Sequence, residues 1–517
     1  MGGTLKRSQE RIACAVAASV LLILIAPPLL ATLLAATDAP LDIWRTIVRA
    51  RQLELLGNSI TVALATTALS ILIGVPLGTL LGRAQLPLTG FALFLHSIPL
   101  ALPPFVNALT AFHLFGQRGW WGDGADWLFN EPGCILVLAI SFAPVITVLS
   151  WLGVRGTDPS ADEAALVIAG PWKTLGRIVL PQALPPIALG VIVVFSLTLI
   201  EVAVPMFLRV DVYSAAVFAR LGGFAFSPGE AAALALPLVI LSAILWGVER
   251  AGRLNRVVAL PSSRTHPVPL LHSMRAKLVL GVTATLAAVI GAAPVIVLGL
   301  VALDGNGFLL LGTYAGNAVG NSVLYAASVS TIVVALAIIV AATARAYPRF
   351  VVSMDAVAWL GFLLPPALFA IGAISVWNRP ATQWVYGSAG VVTLALAARY
   401  AVLAMRMQLS GQRQLSPSLD EAARACGATF MQRLLRIQLP ALRRFTAGAW
   451  LLVFVFCLRD IETTALLYPP DGDPLTVRLF TLEANGPAAV IAALAVLLAL
   501  MTLIPLAIAS VSLRNTR

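Results

Sequence analysis

Apolar residues occur in long runs along the whole chain, separated by short breaks that are rich in charged residues, proline or glycine. A membrane-spanning helix needs about 20 consecutive apolar residues, so these runs predict helices that cross a membrane. Six runs precede a polar central stretch and six follow it: 12–36, 58–82, 91–115, 134–154, 185–208 and 230–248, then 278–303, 318–343, 356–377, 384–405, 445–468 and 488–513. We expect an all-α polytopic membrane protein with about 12 transmembrane helices.

Composition agrees with this interpretation. Of the 517 residues, 59% are hydrophobic and 11% are charged, whereas a soluble domain has about 45–50% apolar and about 25% charged residues. Disorder would need low hydrophobicity and high charge. The four cysteines, at 14, 134, 426 and 457, are too widely separated for a disulfide framework or a zinc site. Ordinary soluble enzymes and disulfide-rich scaffolds are therefore excluded.

The basic residues predict the orientation of the chain. With the amino terminus inside, the cytoplasmic segments hold 24 of the 34 Lys and Arg residues, the outer segments hold nine, and Arg399 lies within a span. An excess of Lys and Arg marks the cytoplasmic side, so we expect both termini in the cytoplasm. The net charge of +11 follows from this bias. Because the basic residues are scattered over many short loops, they do not indicate a nucleic-acid partner.

The two halves of the chain repeat each other at an offset close to 260 residues. Asn58-Ser59 returns as Asn321-Ser322, and Leu102-Pro103-Pro104 returns as Leu364-Pro365-Pro366. Each half has an even number of predicted spans, so the halves share an orientation and are related by an axis along the membrane normal. We divide the chain into a first half (1–250), a cytoplasmic linker (251–276) and a second half (277–517).

The long cytoplasmic loop of each half, 158–181 and 416–440, repeats an Asp-Glu-Ala-Ala segment. Asp158 or Ser416 suits a helix N-cap, and the proline that follows suits the first helical position. Gly427 permits a turn, and a Leu-Pro pair is expected to end the element before the next span. Each loop is therefore predicted to form a short helix, a turn and a second helix at the membrane surface.

These loops resemble the cytoplasmic signature of binding-protein-dependent ABC importer permeases of type I, in which Glu-Ala-Ala is followed by Gly, Ile, Leu and Pro. The second loop has every residue of the signature at the family spacing: Glu421, Ala422, Ala423, Gly427, Ile437, Leu439 and Pro440. The first loop is one residue shorter and has the glycine one position late: Glu163, Ala164, Ala165, Gly170 and Pro181. The resemblance covers both halves and implies a fused two-half permease.

The resemblance also implies partners. A homodimer of a cytoplasmic ABC ATPase would dock on the two loops, and a periplasmic or lipid-anchored binding protein would deliver the solute at a bacterial inner membrane. The chain itself has no Gly-Lys-Ser/Thr sequence for binding phosphate, since its three lysines follow Leu5, Trp172 and Ala276. We therefore expect a transport subunit without its own ATPase site, cofactor or metal, whose partner uses ATP.

The fused halves resemble the ferric-iron and thiamine branch of the family, and the segments 201–205 and 459–468 look closer to the ferric-iron type. Ferric iron is the favoured cargo. Thiamine, a polyamine, a phosphonate or sulfate remain alternatives within the family, and an ion-coupled secondary transporter is an alternative outside it.

Acidic residues recur at one depth of the two halves. Glu201 lies 20 residues after Pro181, and Asp460 lies 20 residues after Pro440. An acid at membrane depth usually faces a cavity or a partner. We hypothesise that Glu201 and Asp460, with Glu462, line the outer pathway and favour a cationic cargo. The alternative is that Asp460 pairs with Arg459 and that Glu201 reaches the outer headgroups.

Overall fold

The structure is a computed structural model that describes residues 2–37, 41–83, 89–117, 119–122, 125–222, 228–251 and 274–514. Within these ranges every regular element is helical, as an all-α membrane protein requires. Most of the predicted linker, 251–276, lies outside the described residues.

Twelve α-helices form the first half. They are α1 (Gly2–Thr37), α2 (Leu41–Ile47), α3 (Ala50–Arg83), α4 (Thr89–His96), α5 (Ile98–Ala101), α6 (Pro104–Phe115), α7 (Glu131–Arg155), α8 (Pro159–Thr174), α9 (Leu180–Ile200), α10 (Ala203–Phe207), α11 (Tyr213–Gly222) and α12 (Pro228–Ala251). A π-helical turn, Leu175–Val179, joins α8 to α9.

The second half contains fourteen described α-helices. They are α13 (Met274–Asp304), α14 (Leu311–Ala315), α15 (Ala318–Ala342), α16 (Pro348–Leu363), α17 (Pro366–Trp377), α18 (Gln383–Tyr386), α19 (Ala389–Gln414), α20 (Pro417–Ala425), α21 (Phe430–Arg433), α22 (Leu439–Ala441), α23 (Arg443–Leu458), α24 (Glu462–Leu467), α25 (Leu475–Glu483) and α26 (Ala488–Arg514). A π-helical turn, Leu434–Gln438, joins α21 to α22.

The number of continuous spans is smaller than the predicted twelve. Nine helices in the described part of the chain are long and apolar enough to cross a membrane, and two bent pairs raise the number to eleven. One pair, α16 and α17, bends by 105° where Pro365 and Pro366 interrupt the helix. The predicted span 91–115 is instead three short helices, α4 to α6, which are interrupted at Ser97 and at Leu102-Pro103.

The first helix of each half packs on the opposite half. Helix α1 packs against α17, α16 and α19 of the second half, and α13 packs against α4 of the first half. Both contacts bring backbones close together at a glycine. A Cβ atom on Gly372 would clash with the Pro28 carbonyl oxygen, and one on Gly291 would clash with the Leu95 carbonyl oxygen. The two halves are therefore joined by exchanged helices.

The repeated Asn-Ser pair makes equivalent contacts in both halves. In the first half, the Ser59 hydroxyl accepts a 2.7 Å hydrogen bond from the backbone N–H of Tyr213, where α11 begins. In the second half, the Ser322 hydroxyl accepts a 2.7 Å hydrogen bond from the backbone N–H of Leu475, where α25 begins. Each serine therefore satisfies a backbone donor at a helix start that has no partner within its own helix.

Candidate functional site

The helices that carry Glu201 and Asp460 are interrupted at these residues. Helix α9 ends at Ile200 and α10 begins at Ala203, while α23 ends at Leu458 and α24 begins at Glu462. The backbone N–H of each acid bonds three residues back, at 3.3 Å in both halves. The sequence repeat is thus also a structural repeat at these acids.

The two interruptions meet in a small cavity between the halves, with a volume of about 50 Å³. It has room for a few water molecules, so the structure is constricted at this level. All three predicted pathway acids line the cavity together with two arginines and a tyrosine: Glu201, Asp460, Glu462, Arg399, Arg459 and Tyr400. The structure therefore brings the three acids together.

Asp460 is the fully bonded acid of the cavity. Its carboxylate accepts hydrogen bonds from the Tyr400 hydroxyl (2.7 Å) and from the backbone N–H of Thr463 (2.9 Å). Its ion-pair partner is Arg399, with the Nη1 and Oδ2 atoms 3.5 Å apart. The alternative of an Asp460–Arg459 pair is therefore not what the structure contains.

Glu201 and Glu462 are bonded more sparsely. Glu462 accepts a 2.7 Å hydrogen bond from the backbone N–H of Val202 in the opposite half. Glu201 accepts a 3.4 Å hydrogen bond from the backbone N–H of Val204. Neither carboxylate forms an ion pair within the described part of the chain. The side chains of Glu201 and Glu462 therefore line the cavity without an ion-pair partner among the described residues, and we call them the open acids.

Arg459 crosses from the second half to the first. Its Nη1 donates to the carbonyl oxygen of Leu100, next to the proline break in the predicted span 91–115. Its guanidinium also lies over the rings of Phe142 and Phe456. The cavity thus combines three carboxylates with two guanidinium groups. Arg399 lies inside an apolar run of the sequence. An arginine at membrane depth indicates a buried partner for its charge.

The first of the two repeated loops, 158–181, rests on a buried ion pair. Asp158 caps α8 by accepting a 3.0 Å hydrogen bond from the backbone N–H of Ser160. Asp162, the first residue of Asp-Glu-Ala-Ala, is buried against Arg83, with Nη1 and Oδ2 2.7 Å apart. Glu163 and Ala164 face outward and are exposed, and Ala165 is half-buried. The Asp therefore anchors this loop and leaves the Glu-Ala face free.

The second loop has the same arrangement of a buried Asp and an exposed Glu-Ala face. Asp420 is buried, Glu421 and Ala422 are exposed, and Ala423 packs inward. Ser416 does not cap α20, contrary to expectation, because its hydroxyl bonds to the Ser418 hydroxyl instead.

The turn of each loop is made by a glycine with a left-handed backbone. Gly427 has φ 85° and Gly170 has φ 72°, a conformation that side chains with a Cβ rarely adopt. Gly170 therefore makes the turn in the first loop although it comes one position late in the sequence. Helix α8 is consequently longer before its turn than α20.

The Leu-Pro pairs act differently in the two loops. In the second loop α22 ends at Ala441, directly after Pro440, and the chain bends by 79° before α23, as expected. In the first loop the helix continues through Leu180-Pro181 as α9, contrary to expectation. In the π-helical turns the N–H of Leu180 bonds to the Leu175 carbonyl, and that of Leu439 bonds to the Leu434 carbonyl. The shifted pattern lets the helix continue into Pro181, which has no N–H to donate. Pro181 and Pro440 are exposed, and Ile437 and Leu439 are half-buried.

Both loops expose large apolar side chains. In the first loop Val167 and Ile168 are 88% and 87% exposed, and Trp172 is also exposed. In the second loop Leu419, Met431 and Leu435 are exposed. Exposed apolar patches of this kind mark interaction sites.

Comparison with known proteins decides the family. Residues 74–248 match the family described as the binding-protein-dependent transport system inner membrane component. The molybdenum transport system permease protein of Escherichia coli K12 is 30% identical over 158 residues, which are 28% of this chain and 68% of that protein. The chain belongs to this family. It is the permease of an ABC importer, as its doubled loop signature predicted.

Longer matches cover both halves of the permease. An Fe(3+)-transport system permease protein of Haemophilus influenzae is 23% identical over 92% of this chain and 94% of its own length. A putative ferric transport system permease protein of the same organism is 21% identical over 84% of this chain and 73% of its own. The predicted fusion of two halves in one multi-pass membrane protein is thereby confirmed. The family generally lacks an ATPase site of its own, and membership implies a separate ATPase and a binding protein.

Proposed function

We propose that the permease carries ferric iron inward across a bacterial inner membrane, with both termini in the cytoplasm. The observation that carries this proposal is the cavity between the halves, where Glu201 and Glu462 remain open and form no ion pair in the described part of the chain. Open carboxylates favour a cation over an anion. The two Haemophilus influenzae relatives that match most of the chain are named for ferric transport, which supports the same cargo.

Within this proposal the three acids have different roles. Asp460 holds Arg399 and Tyr400 in place and is a positioning residue. Glu201 and Glu462 face the transported cation. Glu462 also joins the halves through its bond to Val202, so a movement of one half against the other changes the spacing of the two open acids.

The cargo is tested by reconstituting the permease in liposomes with its ATPase and binding protein and measuring ATP-driven uptake of radiolabelled ferric iron. The expected result is ferric uptake that excess molybdate leaves unchanged. Uptake of molybdate without ferric uptake contradicts the proposal.

An oxyanion importer is the second candidate, because Arg399 and Arg459 also line the cavity and the Escherichia coli relative is named for molybdenum transport. Arginine binds oxyanions through paired N–H donors. Both guanidiniums are already engaged, however, Arg399 by Asp460 and Arg459 by the Leu100 carbonyl. Their engagement favours the cation.

The two cytoplasmic loops, 158–181 and 416–440, are proposed to dock a homodimer of the ABC ATPase. Each offers an exposed Glu-Ala face beside exposed apolar residues, and two similar sites on one chain suit two identical subunits. The variant Glu421→Lys is expected to abolish co-purification of the ATPase. Glu54→Lys, at an exposed glutamate of α3 outside the loops, is the matched control and is expected to retain the ATPase.

A further inference from the structure

A buried network of charges lies beneath the second cytoplasmic loop and includes a residue of the opposite half. Glu10, near the start of α1, is 5% exposed, and Arg433 at the end of α21 is 4% exposed. The Oε1 atom of Glu10 accepts hydrogen bonds from Arg433 and forms an ion pair with Arg424 at 3.2 Å. The first helix of the chain is thus bonded to the loop that carries the complete family signature.

The same two arginines hold Asp420. Arg433 donates to Asp420 at 2.6 Å, and Arg424 donates to it at 2.9 Å. Burial raises the pKa of Asp420, but the hydrogen bonds and charges of Arg424 and Arg433 outweigh it and hold that pKa below its ordinary value. With Glu10, the network contains two carboxylates and two guanidiniums, so its charges balance.

The first loop is anchored differently. Its equivalent carboxylate, Asp162, pairs with Arg83 at the end of α3, a helix of its own half. In the second loop the arginines come from the loop itself, and the additional carboxylate comes from α1. The described structure therefore ties both loops to helices of the first half, although they belong to different halves.

Helix α1 connects this network to the interface between the halves. It runs from Gly2 to Thr37 and packs on α17, α16 and α19 of the second half. Near its far end, Thr32 donates a 2.8 Å hydrogen bond to the carbonyl of Leu368, in the first turn of α17 after the proline break. Because removing one partner of a buried ion pair leaves an uncompensated charge, the second loop and the base of α1 are expected to move together.

We propose that Glu10 is a positioning residue that couples the second ATPase-docking loop to α1, so that movement of this loop is transmitted to the opposite half. The inference rests on the proposed docking of the ATPase on 416–440. It assigns to the first helix a part in energy coupling beyond its packing in the membrane.

The test compares wild type and Glu10→Gln, each purified with the ATPase and reconstituted with the binding protein. Three quantities are measured: ATPase co-purification, ATP hydrolysis and cargo transported per ATP. In Glu10→Gln the ATPase stays bound and hydrolysis continues, while transport per ATP falls about fivefold or more. Glu10→Asp, which keeps the charge, restores most of the transport per ATP.

The matched control is Glu249→Gln. Glu249 is likewise a buried glutamate of the first half that pairs with an arginine of the second, Arg406, at 3.2 Å, but it has no contact with the docking loop among the described residues. Its transport per ATP is expected to equal that of wild type. An equal fall in both variants would show that any broken ion pair between the halves has this effect, and it would overturn the specific role of Glu10.

The outcomes separate this inference from the docking proposal. Failure of the wild-type permease to retain the ATPase overturns docking itself. Retention of the ATPase with unchanged transport per ATP in Glu10→Gln overturns the coupling role alone. Should Glu10→Gln not fold, Arg424→Gln removes the more exposed arm of the same network, and a normal transport-to-ATP ratio in that variant overturns the role equally.

Discussion

Two acids at equivalent positions of the repeat have different surroundings. Asp460 has a guanidinium, a phenol and a backbone N–H as partners, whereas the Glu201 carboxylate accepts a hydrogen bond from the backbone N–H of Val204. A buried carboxylate with full partners stabilises the fold, while an open one is available to a ligand. The two acids differ because Arg399 and Tyr400, the side chains that bond to Asp460, both lie on α19 of the second half.

Asp460→Asn is expected to destabilise the permease, because it leaves Arg399 buried without its charged partner. Loss of one partner of a buried ion pair costs about 3–5 kcal/mol. A lower thermal unfolding temperature in detergent checks this, with Glu201→Gln as the control that keeps the wild-type value. Equal stability of both variants would contradict the division of roles.

Glu201→Gln combined with Glu462→Gln is expected to lower uptake of the cation at least tenfold, since each change removes a carboxylate that can bind the cation and about 1.4 kcal/mol corresponds to a factor of ten. Uptake in proteoliposomes is the measurement. ATPase co-purification serves as the control and stays at the wild-type level, because both residues lie away from the docking loops. Normal uptake by this double variant contradicts the pathway role.

At the level of elements, glycines determine where the docking loops turn and where helices approach. Gly170 and Gly427 turn the loops through a positive φ, while Gly74, Gly78 and Gly82 let α3 approach α7. The second set forms a Gly-x-x-x-Gly pattern in the sequence, which is typical of close helix packing in membranes. Gly170 was identified from the sequence as the late glycine of the first signature, and its positive φ shows that it makes the turn there.

Gly427→Ala is expected to weaken ATPase binding, because an L residue in the left-handed region costs about 1–2 kcal/mol. That cost corresponds to roughly a five- to thirtyfold loss of affinity, measured by titrating the purified ATPase onto the variant. Gly247→Ala on α12, where a Cβ meets no neighbour, is the control. Wild-type affinity in Gly427→Ala would show that the turn does not position the docking surface.

Gly78→Ala is expected to destabilise the first half, because the new Cβ would clash with the Thr147 carbonyl of α7. Overpacking of this kind costs about 1–3 kcal/mol. Thermal unfolding measures the loss. Gly57→Ala, on the same helix but with open space around the Cβ, is expected to leave the unfolding temperature unchanged, and an equal loss in both would point to helix α3 itself.

At the level of the whole molecule, the two halves are joined by more than the chain between them. Helices α1 and α13 each pack on the opposite half, and Glu249 of the first half pairs with Arg406 of the second. The halves are therefore joined by exchanged helices and by a buried ion pair, in addition to the chain between them.

Co-expression of the halves as two chains, split within 251–276, is therefore expected to give a complex that co-purifies and retains uptake. Deleting α1 from the first chain is expected to abolish co-purification, because it removes the packing on α17, α16 and α19 of the second chain. Affinity purification through a tag on the second chain measures both. Halves that fail to associate when split would show that the linker, rather than the exchanged helices, joins them.

The apolar runs, the repeat and the doubled loop signature could be predicted from the sequence because each depends on local composition and spacing. The break at Leu102-Pro103-Pro104 was also visible, but its effect on the span was not, since proline in a membrane helix can produce a kink or an interruption. Neighbouring helices decide between the two. Here three short helices replace one predicted span.

What only the tertiary structure decided is which charges meet. Asp460 had an adjacent arginine, Arg459, yet its partner is Arg399 on another helix. Glu10 and Arg433 are 423 positions apart in the chain and nevertheless form one buried pair. A low-dielectric interior forces each buried charge to find a partner, but the path of the helices through the membrane selects the partner. The sequence alone determined that the chain consists of two repeated sets of membrane-spanning helices. The tertiary structure decided how the two repeats contact each other, because the first helix of each half packs on the opposite half.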